Sequence, residues 1–244
     1  MPFLNPKISR TVYWSMKTFV IIIPLFLSIS FNSFAQYWNF GFHGNAAWSV
    51  GELKENAGSI IFPEFAFTMG YRFYSPLEVG INIGYGLYGT KLEKRHDLYP
   101  GYTDEMRLRR NNNLVSLMSY MRYYIDKGQK VHPFFEAQIG ANHFYTRYII
   151  REFQFGDPIE QGRDYSDWVM SYRFGGGIKI PFKNPEKGHW ELKLLYHDTG
   201  SVEFLRKQDT QYRPDLGDGQ FVYSPVRSTI NLLHAGIGVV FYGW

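Results

Sequence analysis

The sequence predicts an all-β chain, an eight-stranded antiparallel up-and-down transmembrane β-barrel with a filled lumen. Three observations carry that expectation. Apolar and polar residues alternate with period two along eight segments; the connections between segments alternate between short and long; and 19% of the residues are aromatic. Successive side chains of a strand point to opposite faces, so such alternation marks a sheet with one face in an apolar medium.

Composition narrows the alternatives. A chain of 244 residues is one ordinary domain or two small ones. Without cysteine, a disulfide framework, a thiolate metal site and a cysteine nucleophile are excluded. A mean hydropathy of -0.29 is too low for a polytopic helical membrane protein, which needs long apolar runs. The formal charge is +4, but Lys7, Arg10 and Lys17 lie in the first 35 residues, which hold no acid, and 23 basic residues face 22 acidic ones in the remainder. The basic balance belongs to the N-terminus and does not argue for nucleic acid.

That N-terminus has the parts of a secretory signal. Lys17 precedes a thirteen-residue apolar run, Phe19 to Phe31, and Ser33 and Ala35 supply small residues at the -3 and -1 positions. The run contains Pro24 and is too short to cross about 30 Å of hydrocarbon as a helix. Residues 1–35 are therefore expected to be a signal peptide cleaved after Ala35, and residues 36–244 the barrel. Met16-Lys17 has the form of a natural start, which would make residues 1–15 an upstream extension.

The segments follow in order. The first sets Trp38, Phe40, Phe42, Ala46, Trp48 and Val50 against Asn39, Gly41, His43, Asn45 and Ser49. The second sets Ile61, Phe65, Phe67, Met69, Tyr71 and Phe73 against Glu64, Ala66, Thr68, Gly70 and Arg72. The third is the cleanest, with Leu77, Val79, Ile81, Ile83, Tyr85 and Leu87 against Glu78, Gly80, Asn82, Gly84 and Gly86. The fourth runs from Val115 to Ile125, the fifth from Phe135 to Ala141 and the sixth from Trp168 to Ile180. Trp190 to Tyr196 makes the seventh and Leu233 to Phe241 the eighth. No segment shows helical spacing.

Residues 74–76, 126–130 and 183–189 make short connections, whereas 51–59, 89–112, 146–167 and 198–227 make long polar ones. Sorting short turns to one side and long loops to the other is the habit of outer-membrane barrels. The alternative, a soluble lipocalin-like barrel, would point its apolar face inward. Here the polar face is crowded with glycine and small residues, which suits a lumen, and the apolar face carries Trp38, Trp48, Phe73, Tyr123, Trp168, Trp190 and Phe241 toward strand ends, as interfacial girdles do.

With the terminal strand Ala235-Gly-Ile-Gly-Val-Val-Phe-Tyr-Gly-Trp244, these features resemble small outer-membrane β-barrels of the OmpA/OmpX type. They resemble in particular the PorT-like outer-membrane barrel domains common in Bacteroidetes. The resemblance covers the mature chain and rests on pattern. It departs at the end, where Phe241 has the lipid-facing parity and Trp244 does not. It implies a Gram-negative outer-membrane location and a structural or surface-interaction role without an open pore. Outer-membrane lipids and lipopolysaccharide, the barrel assembly machinery and a surface or periplasmic protein would be its partners. An accessory barrel of a secretion system is the role that the PorT-like members imply.

On the polar face, each short turn is preceded by a base and followed by an acid: Arg72 with Glu78, Arg122 with Glu136, Lys179 with Glu191. Each pair is symmetric about its turn, so antiparallel pairing would set the partners opposite one another. Arg173 and His197 stand in the same relation one step further in. Charges in a narrow lumen must be paired, and the expectation is a ring of ion pairs closing the turn side.

The most catalytic-looking string is Tyr196-His197-Asp198-Thr199-Gly200-Ser201. It is similar to the outer-rim His and Ser of eight-stranded lipid A deacylases, with Thr199 at the position two after His197. A lipid A-modifying hydrolase using His197, Thr199 or Ser201 is thus the enzymatic alternative, against a polar strand end followed by a turn. The histidines show no paired metal spacing, and no cofactor or metal is expected. The second long loop holds Lys91, Lys94, Arg95, Arg107, Arg109 and Arg110, a basic rim suited to lipopolysaccharide phosphates or merely a solvated loop. The apolar residues of Tyr148 to Phe155 extend the fifth strand beyond the membrane, with an edge open to strand addition or paired with the sixth.

Overall fold

The computed structural model describes residues 37–73, 76–99, 103–125, 130–206, 208–213 and 220–243. The expected signal segment and Trp244 lie outside the described residues.

Eight strands close a barrel: β1 (Tyr37–Ser49), β2 (Ile61–Arg72), β3 (Leu77–Arg95), β4 (Met106–Tyr124), β5 (His132–Arg151), β6 (Glu160–Pro181), β7 (Gly188–Thr199) and β12 (Leu232–Tyr242). Each pairs antiparallel with its sequence neighbour, and β12 closes the ring on β1 and β7. Between β1 and β2 stands a short helix, α1 (Gly51–Ala57), and between β7 and β12 lie two two-stranded sheets: β8 (Ser201–Phe204) with β11 (Val226–Thr229), and β9 (Thr210–Arg213) with β10 (Gln220–Tyr223).

Around the wall, the face expected to meet lipid points outward on every strand. Phe42, Phe65, Ile83, Leu117, Ile139, Phe174, Leu192 and Ile237, one per strand, are between 41% and 67% exposed. Aromatic side chains bound this belt at both ends, with Trp38, Phe73, Tyr123, Trp190 and Phe241 at the turn side and Tyr85 and Trp168 at the loop side. A glycine pair shows how the lumen is filled. Gly70 and Gly80 are cross-strand partners, and a Cβ on Gly70 would overlap the Tyr120 hydroxyl. The missing side chains give Tyr120 its place.

Three expectations are corrected. The stretches 89–112 and 146–167 are mostly strand: β3 and β4 stay paired to Arg95 and Met106, and β5 and β6 to Ile150 and Glu160. The sequence hides this because the polarity of the faces inverts above the girdle. In the wall, β4 points Leu117 out and Ser116 in. Higher up it points Arg107 and Arg109 out and buries Met106 and Leu108. That is the pattern of a sheet leaving lipid for water. Second, β5 has no open edge over Tyr148 to Ile150, since β4 and β6 flank it there. Third, residues 51–57 are helical, held by burial of Leu53 and closed at Gly58, whose positive φ of 80° lets its N–H reach the Lys54 carbonyl at 3.0 Å.

Candidate functional site

The lumen is the first candidate. Its turn side is built from the residues that flank the short connections, and the register sets Arg72 opposite Glu78, Arg122 opposite Glu136 and Lys179 opposite Glu191. The side chains do not form three separate bridges. Arg122, 2% exposed, is a hub. Its Nε donates to Glu136 at 2.8 Å, and its Nη1 donates to Glu191 at 2.7 Å and to Glu78 at 3.2 Å. Tyr120 and Tyr124 donate to Glu78 at 2.9 and 3.0 Å, and His189 lies 2.8 Å from Glu191. Arg72 sits over the Tyr124 ring at 4.5 Å, and Lys179 lies 5.3 Å from the rings of Tyr124 and Tyr242. Among the described residues no ion pair joins Arg72 to Glu78 or Lys179 to Glu191. A guanidinium has five donors in a planar fork, enough for three carboxylates, and the aromatic rings take the two remaining cations.

A second network lies nearer the loops. Arg173 is opposite His197 in register, yet its guanidinium crosses the lumen to Glu64 on β2, with two contacts of 3.0 Å, and donates to Ser116 at 2.8 Å. Asn45 donates to Glu64 at 3.1 Å, and His234 lies 3.6 Å from it. Below the mouth of the lumen, the buried acids Glu64, Glu78, Glu136 and Glu191 are matched in number by Arg122, Arg173, Lys179 and Lys193 without the histidines, while buried Arg110 lies further up β4 against Asp164. Sequence reasoning missed Glu64. Its signal was an unpaired acid on the polar face of one strand and an unpaired base on another.

At the mouth the filling changes character. Ala47, Phe62, Leu114, Phe144, Val169 and Leu232 hold lumen-facing positions but are apolar, and Leu53 of α1 with Val202, Phe204 and Ile230 of the last loop completes the cluster. This plug was also missed. Its signal was the run of apolar residues on the polar parity at the loop-side strand ends.

The structure does not bring the catalytic candidates together. His197 is fully buried, with its ring nitrogens 2.7 Å from the Asn142 amide and 3.1 Å from His234. The Thr199 hydroxyl donates to the Gly200 carbonyl and accepts from the Ile230 N–H, and Ser201 accepts from Arg227. Each hydroxyl is engaged away from the imidazole. Among the described residues no group of three or more His, Asp or Glu is placed to hold a metal ion.

On the loop-side extensions of β4 and β6, Arg110 lies 3.0 Å from Asp164 and over the Phe221 ring at 4.1 Å, and Tyr223 donates to Asp164 at 2.8 Å. Burial pushes the Asp164 carboxyl up despite these partners. Tyr148 and Tyr99 each donate to Glu160 at 2.6 Å. These bonds hold Glu160 below the ordinary carboxylate range and push Tyr148 up to about 12.

No family model and no curated protein matches the chain. Among solved structures it is similar to Neisserial surface protein A, with 12% identity, a TM-score of 0.39, and 84% of this chain and 96% of that one covered. It is also similar to Ail, the attachment invasion locus protein of Yersinia pestis, at 13% identity and a TM-score of 0.38, covering 84% and 97% of the two chains. A major outer membrane protein from Thermus thermophilus superposes at 12% identity with a TM-score of 0.45, covering 84% and 99%. These superpositions are loose, and the barrel is read from its own strand pairing.

Proposed function

We propose that the chain is an integral outer-membrane β-barrel of a Gram-negative envelope, with a sealed lumen and a structural or surface-interaction role. One observation carries the reading. The barrel is inside out by the standard of a soluble protein, with a continuous exposed apolar belt and the charged residues buried in the lumen. A belt of that extent in water would drive aggregation, whereas lipid satisfies it. The strands close on one another without a free edge, as hydrocarbon requires. Lipids of that membrane, lipopolysaccharide and the barrel assembly machinery are then the obligatory company of the chain. A surface or periplasmic protein would be the partner in a PorT-like accessory role, which a secretome comparison of deletion and parent strains tests.

Sealing is supported by the two fillings in series, an ion network and an apolar plug. The test is fractionation of expressing cells with gel migration before and after boiling, followed by planar-bilayer recording. An outer-membrane band that shifts on boiling and carries no steady current is expected. A protein in the soluble fraction, or an ohmic channel, would overturn the corresponding half of the proposal.

A further inference from the structure

The outward face of the sheet above the membrane carries cations set against one another. In register, Lys94, Arg107 and Arg151 form one row across β3, β4 and β5, and Arg147 faces Arg163 across β5 and β6. Like charges directly opposite destabilise a sheet. Only part of this repulsion is answered within the chain. Glu105 takes Lys94 at 2.7 Å and lies near Arg107, and Arg163 stacks on Tyr145 at 5.0 Å. Arg107, Arg109, Arg147 and Arg151 bond amide oxygens of Gln154, Asn111 and Gln161, and no carboxylate lies within 4.0 Å of them among the described residues. Arg151 also keeps a buried Nε with no hydrogen-bond partner. Between Arg107, Arg109 and Arg151 runs a groove of about 230 Å³, lined also by the apolar side chains of Leu92, Ile149 and Phe153, with Leu92, Arg109 and Ile149 in one cross-strand row.

Height selects the occupant. Trp168 and His143, stacked at 4.4 Å, mark the loop-side girdle. Arg151 lies eight residues beyond His143 on β5. At about 3.3 Å per residue and a tilt near 40°, that is roughly 20 Å above the girdle. A phospholipid headgroup layer is only about 5–8 Å thick, so it ends below this row. Taken with the outer-membrane reading, on which it rests, the geometry points to this groove as a binding site for the phosphorylated saccharide of lipopolysaccharide. The arginines grip its phosphates by bidentate charge-assisted bonds, and Leu92, Ile149 and Phe153 carry the sugar faces.

The test uses the full chain refolded in phosphatidylcholine vesicles, read by the temperature at which the heat-modifiable band is lost. Added lipopolysaccharide with a phosphorylated core should raise that temperature by about 5 °C. The same lipopolysaccharide after dephosphorylation, phosphatidylglycerol and inorganic phosphate should leave it unchanged. An equal rise with any of these three, or no rise with the phosphorylated form, overturns the site. The double variant R107Q/R151Q should fold and lose the shift. R109Q is a second reporter should the first variant fail to fold, and a full shift in a folded variant of either kind overturns the location. Absence of a heat-modifiable band in every vesicle would instead contradict the outer-membrane reading itself.

Discussion

The two ends of the lumen are enclosed by the same eight strands and are filled in opposite ways. At the turn side the strands fill the space themselves. They do it with long charged side chains converging on Arg122. At the loop side the long connection after β7 and the helix α1 fold back over the mouth, and the strands meet them with Phe62, Leu114 and Phe144. An apolar filling needs material from outside the wall. A charged one needs only a matching set of partners, but each depends on the others. The ionic end should therefore fail abruptly on single substitutions and the apolar end gradually.

Arg122→Ala should have the largest effect, about 5 kcal/mol, at the upper end for a broken buried pair, because it strands three carboxylates at once. Urea unfolding in lipid vesicles measures it. Exchanging Arg122 for Met together with Glu136→Gln should remain costly, at about 3 kcal/mol, since Glu78 and Glu191 stay buried without the guanidinium. Phe204→Ala, in the plug, should cost about 4 kcal/mol by the same assay and leave the ionic end intact. A spectroscopic probe at the turn side should not respond to it.

On the wall, Ile83→Arg should cost about 3 kcal/mol, because the side chain faces lipid at mid-strand. Its neighbour Asn82 faces the lumen, and Asn82→Ala should cost only about 1 kcal/mol. Equal costs at the two positions would break the assignment of faces. The smallest effect expected is at Glu160, above the membrane. Its carboxyl is held below the ordinary range by two tyrosine hydroxyls. A depressed carboxylate stabilises the fold above its unfolded pKa and loses that contribution as pH falls through its folded pKa. The stability difference between the protein and Glu160→Gln should accordingly be constant near neutrality and vanish in acid, which paired thermal melts from pH 7 down to about pH 3 would follow.

How much of this was legible in the sequence depends on whether neighbours in space were neighbours across a turn. Arg122 and Glu136 flank one connection, and their pairing follows from symmetry about it. Glu64 and Arg173 sit on strands that share no turn, and only the closed barrel brings them together. The strands themselves were visible wherever lipid enforced an apolar face. They faded where β3 to β6 leave the membrane, because Arg107 and Arg109 there take the outward parity that Leu117 and Met121 hold in the wall. The plug was hidden for a related reason. Phe62 and Leu114 interrupt the polar face, and their partners Val202, Phe204 and Ile230 lie in a loop without a simple period.

The most direct test of a dry, closed lumen is the double-mutant cycle of Arg122→Met and Glu136→Gln, measured by urea unfolding in vesicles. A coupling energy of about 3 kcal/mol is expected if the pair is shielded from water as its burial indicates. A coupling near zero would mean that water reaches both groups, and the turn side of the barrel would then be an open mouth.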